Sequence, residues 1–74
     1  MSQLRQQFAK RLKELRQQKG MTQEELAQAT NLSASFIRSI EQGVHSPSFE
    51  SIEELCKALD VKPNILFTFE SLGD

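Results

Sequence analysis

The stretch from Thr22 to Gly43 constrains this chain most, because it carries the start and stop signals of two short helices only a few residues apart. Thr22 is a good N-cap residue, and Glu25 three residues later completes a capping box, in which each side chain bonds the other residue's backbone N–H. Ser33 offers a cap to the second helix, and Gly43 can adopt the left-handed conformation that often ends a helix. The pattern therefore predicts two helices separated by a tight turn at Asn31, a residue that tolerates the left-handed conformation.

The second of these helices has two unlike faces. At about 100° per residue, Phe36, Ile37 and Ile40 form one apolar stripe, which must face a core. The opposite face carries small or polar side chains and one charge: Ala34, Ser35, Arg38, Ser39 and Gln42. Such a face suits close contact with another surface, and the major groove of B-DNA presents donors and acceptors that Ser, Gln and Arg can read.

Similar signals predict three further helices. Leu4, Phe8, Leu12 and Leu15 repeat at helical spacing before Gly20, Ser48 is an N-cap, and Pro63 suits a first helical position. The inward face of the fourth helix is expected to comprise Phe49, Ile52, Leu55, Cys56 and Leu59. The sequence thus predicts an all-α fold of five helices, over about 4–19, 22–30, 33–42, 48–59 and 63–70.

Length and composition exclude several classes of protein. Seventy-four residues predict a single domain over 1–74. No apolar run is long enough for a membrane span or a signal peptide, so a cytoplasmic protein is expected. A single Cys56 excludes an internal disulfide, and one Cys with one His makes a zinc site improbable, so no metal or cofactor is expected. An enzyme is the least expected class, because the chain has no nucleophile–base pair and no phosphate-cradling glycine loop.

The net charge of −1 hides an uneven distribution. Residues 1–20 carry six basic side chains against one acidic, whereas residues 21–74 carry three against nine. Such a chain can present a positive surface to phosphates while its far side is acidic. The alternative is a solvated amphipathic first helix with no nucleic-acid partner.

The run TQEELAQATNLSASFIRSIEQG, the Pro47-Ser48 helix entry and the segment ELCKALDVKPNILF together resemble a known family. They are similar to the helix-turn-helix DNA-binding domain of lambdoid phage repressors and Cro, and to xenobiotic-response-element-type bacterial regulators, including stand-alone restriction–modification controller proteins. The resemblance spans about Phe8 to Phe67. It implies a transcription regulator that binds double-stranded DNA sequence-specifically as a homodimer on an inverted repeat, with helix 33–42 in the major groove.

The resemblance also implies which positions contact DNA: Thr22, Gln23, Ser33, Ala34, Ser35, Arg38, Ser39, Gln42 and His45. Gln23 would support docking on a backbone phosphate, although it could simply be a helix-start residue. Arg38 could bond guanine O6 and N7, with a phosphate contact or a free surface charge as alternatives. Ala34 departs from the long polar side chain of many relatives. His45, a lone loop histidine, is more often simply solvated.

Two further expectations concern packing. The resemblance implies an internal ion pair between Arg16 and Glu41; the alternative is two separate surface charges. Near the end of the chain, Ile65, Phe67 and Phe69 accompany Leu66 in numbers that one face of a short helix cannot bury. Ile65, Phe67 and Phe69 are therefore expected at a dimer interface; the alternative is a fully packed terminal helix in a monomer.

Two other functions stay open from the sequence. One is the antitoxin of a toxin–antitoxin pair, which would need a toxin as protein partner. The other is a helical protein-interaction module without DNA binding, supported by Ala34 and by a loop over 43–47 with His45 as its one ionisable group. If the chain binds DNA, so few basic contacts predict a shallow salt dependence, with log K falling by about 3–5 units per decade of salt.

Overall fold

The structure is a computed structural model that describes residues 3–69, and over this range the chain forms helices and no strand. The predicted all-α fold is confirmed. The five helices are α1 Gln3–Gln18, α2 Gln23–Gln28, α3 Ala34–Glu41, α4 Phe49–Leu59 and α5 Pro63–Leu66.

The predicted N-caps begin the helices. The Thr22 hydroxyl accepts a hydrogen bond from the Glu25 N–H at 3.0 Å, and the Thr22 N–H donates to Glu25 Oε1 at 2.8 Å. Ser33 accepts from the Phe36 N–H at 3.0 Å, and Ser48 caps α4 in the same way. Each cap satisfies an N–H that has no partner within the helix, so the start of each of these helices is set by neighbouring residues.

The ends of the helices follow the prediction at two of three places. Gly20 and Gly43 have φ of 70° and 74°, as expected for residues that follow a helix. Asn31 was expected in the left-handed region, and this prediction is wrong. Among residues 3–69, Asp60 is the one non-glycine residue with positive φ, at 55°, and it ends α4.

A threonine side chain explains why Asn31 has no left-handed role. α2 ends at Gln28 with Ala29 in the right-handed region. The Thr30 hydroxyl then donates to the Ala27 carbonyl and accepts from the Leu32 N–H, both at 3.1 Å. These bonds satisfy backbone groups at the end of α2, so the turn closes without a left-handed residue.

The core lies where all five helices meet. α3 packs on α1 and α2, while α5 packs on α1 and α4. Every helix contributes buried side chains: Phe8, Leu12 and Leu15 from α1, Leu26 from α2, Ile37 and Ile40 from α3, Leu55, Cys56 and Leu59 from α4, and Leu66 from α5. Cys56 is a buried apolar residue, as predicted, and burial raises the pKa of its thiol.

One predicted core residue lies at the surface instead: Phe49 is 85% exposed. Leu4, the first residue of the apolar repeat in α1, is also 50% exposed. Phe49 precedes Leu55 by six residues, which places it about 120° around α4 from that buried position. Ser51, four residues before Leu55, occupies the inward position and is buried.

The fifth helix is shorter than predicted. It ends at Leu66, whereas the apolar run had indicated a helix to about residue 70. Residue 70 itself lies outside the described residues. Pro63 occupies a first-turn position, as predicted.

Candidate DNA-binding surface

Packing of α3 decides which of its side chains are available. Ile37 and Ile40 are 0% and 1% exposed and Phe36 is half-buried against them, so the apolar stripe faces the core. Ser35, Arg38 and Gln42 lie on the opposite side and are exposed. A helix of eight residues with one face buried and a small polar face outward has the dimensions and chemistry to enter a major groove.

Arg16 and Glu41 form a two-pronged ion pair between α1 and the last residue of α3. Arg16 Nε donates to Glu41 Oε2 at 2.7 Å and Nη2 donates to Oε1 at 3.0 Å. Arg16 Nη1 also donates to the Met21 carbonyl at 2.8 Å. The side chains are only 10% and 4% exposed. The hydrogen bond to Glu41 raises the pKa of Arg16 despite the opposing effect of burial, and the pair holds the end of α3 against α1.

Gln23 joins this network from α2. Its Nε2 donates to Glu41 Oε1 at 3.1 Å, so Glu41 connects α1, α2 and α3. Thr22, the residue before it, uses its backbone N–H and its hydroxyl oxygen in the capping box. The position of α3 relative to α2 is therefore set by side-chain hydrogen bonds as well as by apolar packing.

These side chains line one open groove, hereafter the polar groove. Its lining comprises Lys13, Arg16, Thr22, Gln23, Arg38, Glu41 and Gln42. Three of the seven are basic and one is acidic, so the groove carries a net positive charge suited to a phosphate. Lys13 was not among the predicted contact residues. Lys13 lies one turn before Arg16 on the same side of α1. Its place in the groove can therefore be inferred only after Arg16 is known to lie beside α3.

Arg38 has a neighbour that the sequence did not indicate. Its Nη2 lies 3.9 Å from Glu24 Oε2 of α2. The Arg38 and Glu24 side chains are 50% and 66% exposed. An exposed pair of this kind contributes about 0–1 kcal/mol, so Arg38 can leave Glu24 for another partner at small cost.

The remaining predicted contact residues differ in accessibility. Ser33 is exposed at the start of α3, whereas Ala34 is half-buried. Ser39 is half-buried, and its hydroxyl donates to the Phe36 carbonyl at 2.7 Å. His45 is exposed in the loop after α3, with its ring centre 6.2 Å from that of Phe36. Ser39 and Ala34 thus lie close to the body of the domain. Another molecule could contact them only by approaching α3 closely.

A second surface is apolar. The exposed fractions of Ile65 and Phe67 are each 39%, and Phe69 is half-buried. The Phe67 ring packs against Phe8 in a tilted arrangement, with 5.1 Å between ring centres and 42° between ring planes. A pocket beside Phe67 is lined mainly by apolar side chains, among them Leu4, Phe8, Pro47, Phe49 and Ile52. We call the exposed residues Leu4, Phe49, Ile65 and Phe67 the apolar face.

Residues 3–69 contain no group of three or more His, Cys, Asp and Glu side chains placed to hold a metal ion. No helix within this range is both long enough and apolar enough to cross a membrane.

Comparison with known proteins assigns the family. A family model described as helix-turn-helix matches residues 12–66, most of the chain. The chain belongs to the helix-turn-helix family. The predicted family is thereby confirmed.

The most similar proteins include controllers of restriction–modification systems. The control protein C.BamHI of Bacillus amyloliquefaciens is 35% identical over 68 residues, which cover 90% of this chain and 84% of that protein. The controller protein C.AhdI from Aeromonas hydrophila has a TM-score of 0.82 at 39% identity, covering 84% of this chain and 90% of that one. The controller protein C.Esp1396I, solved as a tetramer with its natural 35 base-pair operator, has a TM-score of 0.83 at 34% identity, covering 90% and 88%.

Proposed function

We propose that this protein is a sequence-specific DNA-binding transcription regulator that acts as a homodimer. In each copy α3 enters the major groove of one half of an inverted-repeat operator. The observation that carries this proposal is the outward polar face of α3, with Ser35 and Arg38 exposed while Ile37 and Ile40 are locked in the core.

The relatives support the same function. C.BamHI is a control protein, and C.Esp1396I was solved on its operator. Neither the antitoxin nor the interaction module without DNA binding is favoured by these relatives. By analogy with them, the chain would control genes of a restriction–modification system.

The side chains of α3 divide between two tasks. Ser33, Ala34 and Ser35, at its start, would meet base edges, where a serine hydroxyl can donate or accept and a methyl group can contact thymine. Arg38 is long enough to bond guanine O6 and N7. Gln42, at the far end, lines the polar groove and is suited to a phosphate.

The polar groove would position the domain on the DNA backbone. Lys13 supplies a positive charge and Gln23 an amide, which Glu41 holds in place. Phosphate contacts of this kind set orientation but carry no sequence information. Because few cations face the DNA, affinity should be moderate, with log K falling by about 3–5 units per decade of salt.

The apolar face would join the two copies. Leu4, Phe49 and Phe67 line one pocket, so three exposed apolar side chains form a continuous patch. Such patches mark interaction sites, and a two-fold dimer brings the same patch of both copies together. Of the predicted interface residues, Phe67 lines this pocket, and the Phe69 ring centre lies 6.1 Å from that of Phe67. Ile65 is two positions before Phe67 and is 39% exposed.

DNA binding is tested by footprinting on DNA upstream of the protein's own gene, followed by gel shifts with the mapped site. Arg38→Ala should weaken binding by about 1–3 kcal/mol, or roughly 5- to 150-fold, because a bidentate base contact is lost. Lys57→Ala is the matched control: it removes the same charge from α4, outside the polar groove. Absence of any protected site for the wild type, or equal losses in the two variants, would contradict the proposal.

Dimerisation is tested by sedimentation equilibrium of Phe49→Ala. This ring is 85% exposed in a single copy, so its removal leaves the core intact. We expect the dimer dissociation constant to rise at least tenfold, about 1.4 kcal/mol. Val44 is an exposed apolar residue outside the apolar face. Val44→Ala should therefore change the dimer dissociation constant by less than twofold. A wild type that stays monomeric, or an unchanged constant for Phe49→Ala, would rule out this interface.

A further inference from the structure

Glu24 lies on the surface that we propose binds DNA. It is the second residue of α2, directly after Gln23, and its carboxylate reaches to 3.9 Å from Arg38 Nη2. Its charge also acts inside the polar groove: after the dominant effect of Glu41, Glu24 contributes to the raised pKa of Arg16. A carboxylate at this place lowers the positive potential that a phosphate would meet.

Neither the capping box of α2 nor the network that holds α3 uses the Glu24 carboxylate, although its charge also suits the first turn of α2. Capping of α2 is carried out by Thr22 and Glu25, which exchange both hydrogen bonds of the capping box. The network that holds α3 uses Arg16, Gln23 and Glu41. Glu24 is 66% exposed and pairs with Arg38, the one arginine on the outer face of α3, so its charge lies closest to that side chain.

We propose that Glu24 is a specificity-determining residue, which neutralises Arg38 and so suppresses binding to DNA that lacks the operator sequence. This inference rests on the proposed function. On unrelated DNA nearly all affinity comes from phosphate electrostatics. A carboxylate that occupies Arg38 and repels phosphates therefore weakens that binding most.

At the operator, Arg38 has a better partner than Glu24. An exposed ion pair is weak, whereas a guanine edge offers Arg38 two hydrogen bonds in fixed geometry. Arg38 therefore exchanges Glu24 for the base when the correct sequence is present. On unrelated DNA Arg38 meets a phosphate whose charge is screened by salt, and this phosphate competes with Glu24 for Arg38 less effectively than a guanine does.

The test compares Glu24→Gln with the wild type on two duplexes of equal length, one with the footprinted operator and one of unrelated sequence. Dissociation constants are measured at several salt concentrations. We expect affinity for unrelated DNA to rise about 5- to 10-fold, with the salt slope steeper by about 1, because one more cation is free to contact phosphate. Affinity for the operator should rise about twofold at most, so the ratio of the two affinities falls.

Two further variants separate the mechanism from a general charge effect. Glu53→Gln makes the same change of charge on the exposed side of α4, outside the polar groove, and should leave both affinities within twofold. In an Arg38→Gln background, Glu24→Gln should raise affinity for unrelated DNA by a smaller factor than in the wild-type background, because only the direct repulsion between Glu24 and phosphates is then removed. Thermal melts of all variants check that each is folded.

Three results would overturn the inference. The first is that Glu24→Gln and Glu53→Gln change DNA affinity equally. The second is that Glu24→Gln raises affinity for the operator and for unrelated DNA by the same factor. The third is that Glu24→Gln raises affinity for unrelated DNA as much without Arg38 as with it. A wild type that binds no duplex would instead remove the proposed function. A wild type that binds its operator while Glu24→Gln changes nothing would remove this inference alone.

Discussion

The ion pair between Arg16 and Glu41 yields the sharpest stability prediction. Glu41→Gln keeps the size of the side chain and removes its charge. In the wild type both carboxylate oxygens accept from the Arg16 guanidinium, at 2.7 and 3.0 Å, and Oε1 also accepts from Gln23 at 3.1 Å. The glutamine has one oxygen for these three donors. Its amide group would face donors in place of the second oxygen, so the charge of Arg16 is left without a counter-ion.

The size of the loss follows from burial. Removing one partner of a buried ion pair costs about 3–5 kcal/mol. Arg16 keeps its bond to the Met21 carbonyl, and its side chain is 10% exposed. We therefore expect a loss of about 2–4 kcal/mol, below the top of that range. For a domain of this size about 1 kcal/mol lowers the melting temperature by roughly 4–8 °C, so the variant should melt at least about 8 °C lower.

Urea unfolding followed by circular dichroism measures this loss, because urea is uncharged and leaves the ion pair unscreened. Glu53→Gln, an exposed carboxylate on α4, is the control for net charge and should change the free energy of unfolding by no more than about 0.5 kcal/mol. The double variant Arg16→Met with Glu41→Leu replaces the pair by apolar groups and should recover most of the stability.

A loss below about 0.5 kcal/mol for Glu41→Gln, or one equal to that of Glu53→Gln, would refute this reasoning. Arg16 and Glu41 would then be energetically equivalent to two separate surface charges, which was the alternative that the sequence left open.

Three other predictions concern the fold: the two glycines that follow helices, the cap of α2 and the buried thiol. Gly20→Ala and Gly43→Ala should each lose about 1–2 kcal/mol, because both glycines have positive φ. At Gly43 the added Cβ would displace only the flexible end of the Gln6 side chain, 2.8 Å away, so urea unfolding should give similar losses for the two variants. Thr22→Ala should lose about 1 kcal/mol by the same measurement, because α2 loses its cap. Burial raises the pKa of Cys56 in the folded state, so the folded state retains the thiol proton longer than the unfolded chain. This contribution to stability is complete below the unfolded pKa of about 8.5 and should be lost as pH rises through the folded value, which unfolding curves across that range would show.

Local signals in the sequence predicted the helices well. Thr22, Ser33 and Ser48 begin helices, and Gly20 and Gly43 follow them, as expected. These signals work because a cap or a helix end is formed between residues at most a few positions apart. The prediction for Asn31 was wrong for an equally local reason: the neighbouring Thr30 hydroxyl bonds the Ala27 carbonyl and the Leu32 N–H, so the turn needs no left-handed residue.

Apolar periodicity predicted the core less completely. It identified Leu55, Cys56 and Leu59 but also included Phe49, which is 85% exposed. Hydrophobicity alone cannot place a residue at the edge of a stripe, because burial there depends on how far the neighbouring helix extends. Phe49 instead belongs to the apolar face that we propose for the dimer.

The sequence by itself determined the helix boundaries to within a few residues, the inward stripe of α3 and the family. Only the tertiary structure decided which charges meet. Arg16 and Glu41 are 25 positions apart, and Lys13, Glu24 and Arg38 belong to three different helices that share one groove or its edge. Helix signals act over one turn of chain, whereas the meeting of such side chains depends on the angles at which α1, α2 and α3 pack, and these angles are set by the whole core.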